Sequence, residues 1–116
     1  MKKSNNAIQE KSYLFAIRIV RLYQHLSKEK KEFILSKQIL RSGTSVGANI
    51  EEALGGSSKR DFKAKMNIAY KEARETKYWL KLMKDTDYIE ISAFNSIYDD
   101  CEELLKLLYT IIQSSK

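Results

Sequence analysis

The chain has 116 residues, a net charge of +6, four glycines, one cysteine and no proline. That length holds a single domain, since domains commonly run to roughly 100–150 residues, and the near-absence of glycine and proline removes the punctuation of a strand-rich fold. The lone Cys101 excludes an internal disulfide framework or a multi-thiolate zinc site within one chain, and the N-terminal MKKSNNAIQEKSY has no apolar stretch behind its lysines. With no run of about 18 apolar residues anywhere, neither secretion nor membrane spanning is indicated, and a reducing cytoplasm is the expected location.

Helix 1 is expected over residues 7–27, where Phe15, Ile19, Leu22 and Leu26 recur at three- and four-residue steps. A second apolar row, Tyr13, Ala16, Val20 and Tyr23, widens the buried arc, so this helix touches more than one neighbour. The polar SKEKKEF connects it to helix 2, expected over 31–54.

Helix 2 contains the thin segment RSGTSVG, residues 41–47. Leu35, Ile39, Val46, Ile50 and Ala53 nevertheless share one arc at about 100° per residue, which predicts that the helix runs through. Gly43 lies on that arc and Gly47 near its edge. Each costs roughly 1 kcal/mol relative to alanine in a helix, a cost that close approach of another helix offsets. A polar stripe of Gln38, Arg41, Ser42, Ser45, Asn49 and Glu52 flanks the core and requires partners, because an unpaired buried polar group costs about 1–3 kcal/mol.

Gly55-Gly56 ends helix 2, and Ser57 or Ser58 caps helix 3, expected over 58–84, with Asp61 favouring its positive end. Its inward stripe is Phe62, Met66, Ala69, Ala73, Thr76, Leu80 and Met83. Beside it stand Ile68, Glu72, Glu75, Trp79 and Leu82, whose carboxylates are natural partners for Arg41 and Asn49. The outer side carries Arg60, Lys63, Asn67, Lys71, Arg74 and Lys81, a basic face about 30 Å long. Helix 4 is expected over 92–113, with Phe94, Ile97, Cys101, Leu104, Leu108 and Ile111 inward and Asp99, Asp100, Glu102 and Glu103 in its first half. Residues 1–116 therefore read as one all-α domain, an antiparallel up-down-up-down four-helix bundle.

The chemistry-bearing motifs are sparse. GTSVG matches neither phosphate-loop spacing and follows no strand. A carboxylate di-metal centre needs two Glu-x-x-His pairs, and the one histidine, His25, follows Leu22 by three positions, so no metal or other cofactor is indicated. Arg18 and Arg21 before His25 approximate the arginine–histidine spacing of helical-bundle ribonucleases, but a solvated basic face of Lys11, Arg18, Arg21, His25 and Lys28 is the stronger reading. Charge is uneven, at +5 over residues 1–54, +3 over 55–90 and −2 over 91–116. Lys11, Arg18, Arg21 and Lys28 of helix 1, and Arg60, Lys63, Lys71, Arg74 and Lys81 of helix 3, are the candidates for contacting a phosphate backbone. Tyr70 and Tyr78 could stack on bases, although tyrosines at helical spacing are more often core or interface. Trp79, Tyr13 and Tyr23 supply aromatic surface beyond what one bundle covers, which points to self-association. Cys101 reads as inert packing.

Residues 40–54, LRSGTSVGANIEEAL, and 62–80, FKAKMNIAYKEARETKYWL, resemble the S23-type four-helix bundle family, named for the 23S ribosomal RNA intervening sequences that encode some members. The resemblance spans roughly residues 8–112 and is most specific at Arg41, Ser42, Ser45, Asn49, Ile50 and Glu52, followed by Phe62, Ile68, Ala69, Glu75 and Leu80. It implies an up-down bundle, a ring of five subunits, association with RNA or DNA, and no catalytic residues. The chain departs from the commoner pattern at Glu52-Ala53-Leu54, where a glycine often follows the glutamate, and at Lys71-Glu72, where small residues are usual. The expected function is a non-enzymatic homo-oligomer that binds nucleic acid through helices 1 and 3, with neither membrane nor small-molecule substrate evident. The alternatives are a protein-interaction bundle indifferent to nucleic acid and, last, a ribonuclease using His25.

Overall fold

The thin segment from Arg41 onward is uninterrupted helix. The computed structural model describes residues 3–56 and 58–115, and among them four helices and no strand occur: α1 (Lys3–Lys28), α2 (Leu35–Leu54), α3 (Lys59–Asp85) and α4 (Ile91–Ser114). The packing shows why α2 is thin. A methyl group at Gly43 would come within 2.7 Å of Ile19 Cγ1, and one at Gly47 would lie 3.4 Å from the Ser12 carbonyl oxygen, so the missing side chains are the space that α1 occupies. Ile19 and Ser12 are correspondingly buried.

α2 begins at Leu35, four residues later than the periodicity predicts, and α1 begins earlier, at Lys3. Lys31 adopts a left-handed backbone with φ 54°, which interrupts any helix started there. Glu32 then caps α2. Its carboxylate accepts hydrogen bonds from the backbone N–H groups of Ile34, Leu35 and Ser36 at 2.8–3.2 Å, satisfying donors a helix start leaves open. Burial raises the pKa of Glu32, but these amides outweigh it and hold the carboxyl below its ordinary value.

At the other end of α2 the Gly55 N–H bonds to the Glu51 carbonyl at 3.1 Å and the Gly56 N–H to the Ala53 carbonyl at 3.2 Å. Ser58 caps α3 by accepting from the Asp61 N–H at 3.0 Å, whereas Ser57 lies outside the described residues. Asp87, with φ 69°, closes the C-terminus of α3. The Asp87 N–H bonds to the Lys84 carbonyl and the Tyr88 N–H to the Met83 carbonyl, the paired bonds of a Schellman motif.

Inter-helix contacts fix the directions. Ascending residues of α1 meet descending residues of α2, through Gln9 to Glu51 and Ile19 to Gly43. The same inversion relates α2 to α3 (Ser42 to Thr76, Glu52 to Lys65) and α3 to α4 (Lys77 to Glu102, Lys84 to Phe94). It also relates α1 to α4, through Lys11 to Glu103 and Arg18 to Asp100. The helices thus run up, down, up and down around one core, in a rod 43 Å long and about 20 Å across. Ile19, Ile39, Val46, Ile50, Met66, Ala73, Leu80, Cys101 and Leu108 are completely buried, and burying each large side chain contributes about 1.5–3 kcal/mol. Among the described residues no helix is long and apolar enough to cross a membrane.

Two outcomes follow from this packing. Replacing Gly47 by alanine should raise the denaturant midpoint, because it gains up to about 1 kcal/mol of helix propensity and meets only an ordinary contact. Gly43→Ala should lower it, since overpacking against the rigid branch of Ile19 costs about 1–3 kcal/mol and exceeds that gain. Separately, burial pushes the Cys101 thiol up to about 12 while its S–H faces the Ala73 carbonyl at 3.4 Å. The native protein should therefore leave a thiol-specific disulfide reagent unreacted at neutral pH, with one equivalent consumed only on unfolding.

Candidate nucleic-acid interface

At about 100° per residue, Arg60, Lys63, Lys71, Arg74 and Lys81 fall within an arc of roughly 80° on α3. Thr76, Ala73 and Leu80 turn inward, so this arc faces away from the core. Four of the five cations are exposed and Lys63 is half-buried, and among the described residues none of the five forms an ion pair. Three other lysines of α3 are engaged. Lys65 pairs with Glu52 at 2.9 Å, Lys77 with Glu102 at 2.7 Å and Lys84 with Asp85 at 3.1 Å. Towards its C-terminal end the stripe borders an open depression of about 430 Å³ lined by Arg74, Lys77, Tyr78, Lys81, Leu82 and Asp85.

The candidates on α1 fare differently. Lys11 Nζ lies 2.8 Å from Glu103, and the Arg18 guanidinium is held by Asp100 and, at 2.9 Å, by the Ser96 hydroxyl. Arg21 donates to Gln24 at 3.3 Å, and Lys28 is exposed. The face of helix 1 is therefore half neutralised by α4. Asp100 and Glu103 were missed as counter-charges in the sequence, although the acidic balance of residues 91–116 and the antiparallel order of α1 and α4 together carry that signal.

His25 is exposed beside an apolar depression of about 400 Å³ between α1 and α4 that also includes Arg18, Arg21, Ile17, Leu22, Ile89, Ala93 and Ile97. The arginine–histidine spacing thus brings three residues to one groove, but its lining holds no second proton-transfer group and Arg18 is engaged elsewhere. Among the described residues no three His, Cys, Asp or Glu side chains gather closely enough to hold a metal ion.

From Arg41 onward the polar stripe of α2 finds partners within its own chain, whereas Gln38 is exposed. Arg41 bonds through Nη1 to Glu72 at 3.1 Å and through Nη2 to Glu75, while the Trp79 indole N–H donates to Glu75 at 2.9 Å. Ser42 and Thr76, both fully buried, share a hydrogen bond of 2.9 Å, and the Thr76 hydroxyl also lies 2.8 Å from the Glu72 carbonyl. Asn49 does not reach the α3 carboxylates. Its amide donates to the Ser45 carbonyl and hydroxyl one turn back, at 2.9 and 3.0 Å, and Glu52 takes Lys65 instead. No buried side-chain nitrogen or oxygen is left unpartnered among the described residues.

The Trp79 N–H holds the Glu75 carboxyl below its ordinary value of 4.5; burial opposes this, and the Arg41 guanidinium adds to the lowering. A depressed carboxyl contributes stability that is present above its unfolded value and is lost as pH falls through its folded value. Unfolding free energy should therefore drop on acidification from about pH 6 to pH 3. Glu75→Gln should be less stable than the parent at neutral pH and should flatten that slope without abolishing it, because Glu32 and Glu102 are lowered in the same sense. Denaturant titrations at several pH values check both.

The family model described as 23S rRNA-intervening sequence protein matches residues 4–110. Among solved structures, the chain is similar to a protein of unknown function of the S23 ribosomal protein family from Bacteroides thetaiotaomicron VPI-5482. The two are 54% identical, the match covers 95% of this chain and 98% of that one, and the TM-score is 0.94. No curated protein matches. A family model spanning nearly the whole described chain, over four helices carrying the Arg41-to-Glu52 motif, shows that the chain belongs to the 23S rRNA-intervening sequence protein family.

Proposed function

We propose that the chain is a non-enzymatic, self-associating cytoplasmic bundle that binds RNA or DNA through phosphate contacts along α3. The observation that carries this is the contrast between the two basic helices. α4 neutralises Lys11 and Arg18, while Arg60, Lys63, Lys71, Arg74 and Lys81 form one unpaired stripe about 30 Å long. Such a stripe suits a phosphate backbone, supplying affinity without reading sequence.

Self-association is supported by an apolar patch on the outer side of α1, where Tyr13 is 67%, Leu14 52% and Ile17 40% exposed. The ring of five subunits implied by the family resemblance gives the mass to test by light scattering. The same patch is the specific support for the second reading, a protein-interaction bundle that ignores nucleic acid.

Binding to structured RNA across a salt series discriminates the two. The log of the association constant should fall linearly with log salt concentration, and replacing both Arg74 and Lys81 by glutamine should make that slope shallower by about 1.4–1.8. Lys11→Gln should leave it nearly unchanged, since that lysine already has a counter-charge. Absence of binding at low salt, or binding indifferent to salt, would overturn the proposal in favour of the protein-interaction reading.

A further inference from the structure

The chain has seven tyrosines, and they differ in their surroundings. Tyr70, Tyr88 and Tyr98 are partly buried against the core, and Tyr98 also lies beneath Lys77 Nζ at 5.6 Å from its ring centre. Tyr78 is 58% exposed and sits on α3 within the basic stripe, four residues after Arg74 and three before Lys81. It lines the open depression together with both of those cations and Lys77.

The ring is restrained from behind. Its centre lies 5.1 Å from that of Trp79 with the planes at 73°, an edge-to-face contact that limits rotation of the side chain without sandwiching it. Trp79 is in turn anchored by its hydrogen bond to Glu75 and by packing on the core. An aromatic ring held in place, uncovered and flanked by unpaired cations is the arrangement on which a base stacks while neighbouring phosphates meet the charges. In a duplex both faces of each internal base are covered by its neighbours, so only an unpaired strand offers a free base face.

We propose that Tyr78 is a stacking platform for an unpaired nucleobase, with Arg74 and Lys81 holding the adjoining phosphates, so that α3 takes single-stranded nucleic acid in preference to duplex. The inference rests on the nucleic-acid reading of α3 and names the form of the ligand.

The test uses the full chain and two fluorescein-labelled probes of about 15 nucleotides, a thymidylate strand and its duplex with adenylate, followed by anisotropy at low salt. Tyr78→Ala should weaken the single strand by about 5- to 150-fold, the range of one lost base stack, and change the duplex by less than about twofold. Tyr78→Phe should retain strand binding, and replacing Arg74 and Lys81 by glutamine should weaken both probes. Trp79 is the only tryptophan, so strand binding should also alter intrinsic emission in the parent, whereas duplex binding should not.

Equal weakening of both probes in Tyr78→Ala, or of neither, overturns the inference. So does a lower light-scattering mass for that variant, which would put the ring in a subunit contact. If the parent binds the duplex with the expected salt dependence and shows no preference for the strand, this inference alone fails. Should the parent bind neither probe, the nucleic-acid reading falls and the stacking platform with it.

Discussion

The close approach of α1 to α2 is the contact on which the remaining geometry hangs. Ile19 fills the volume that a side chain at Gly43 would take, and the Ser12 backbone lies against Gly47. One face of α2 is therefore committed to α1, which leaves the adjacent stripe to face α3, where the buried Ser42 meets the buried Thr76. A hydroxyl pair of this kind sets register as well as contact, since sliding either helix by one turn would take from the buried Ser42 hydroxyl its Thr76 partner, at about 1–3 kcal/mol. With the inner face of α3 fixed in this way, its opposite arc has nowhere to point except solvent. The basic stripe is in that sense a consequence of two glycines on another helix.

Charge pairing decides which surface keeps its field. Exposed ion pairs such as Lys11–Glu103 contribute little to stability, so their importance lies elsewhere. The acidic first half of α4 stands between two basic helices and is shared between them, through Asp100 and Glu103 towards α1 and Glu102 towards Lys77 of α3. Lys77 points along the α3–α4 seam and is taken up, while the stripe beginning one further position around the helix lies beyond the reach of those carboxylates. The result is one continuous unpaired cationic strip instead of two diluted ones, as electrostatic recognition of a polyanion requires.

The family motif and the candidate surface are physically joined. Arg41 on α2 holds Glu75 on α3, Glu75 holds the Trp79 indole, and Trp79 braces Tyr78 at the edge of the stripe. A chain of four side chains thus runs from the motif helix to an exposed aromatic ring. It gives the pattern around Arg41 a role beyond holding two helices together, because anything that alters the Glu75 carboxylate also alters the support of the ring.

How much was legible in advance follows from the range of the interactions involved. Helix number, the inward stripes of α2, α3 and α4, the continuity of α2 through its glycines and the family itself are local or periodic properties, and periodicity survives in a bare sequence because one face of each helix must be apolar whatever it packs against. The start of α2 was misplaced because one left-handed residue, Lys31, and one capping carboxylate, Glu32, override propensity without leaving a periodic trace. Partner choice was not legible either. Asn49 turned back on Ser45, Lys11 and Arg18 found carboxylates some eighty or ninety positions away, and Tyr70 and Tyr78, equivalent in the sequence, were divided between core and solvent. By itself the sequence determined four amphipathic rods and a basic excess, since those depend on residues three and four apart. Which charges stay unpaired, and which aromatic ring stands open beside them, was decided only when the rods were set side by side, because distance-dependent pairing between helices has no counterpart in the order of residues along any one of them.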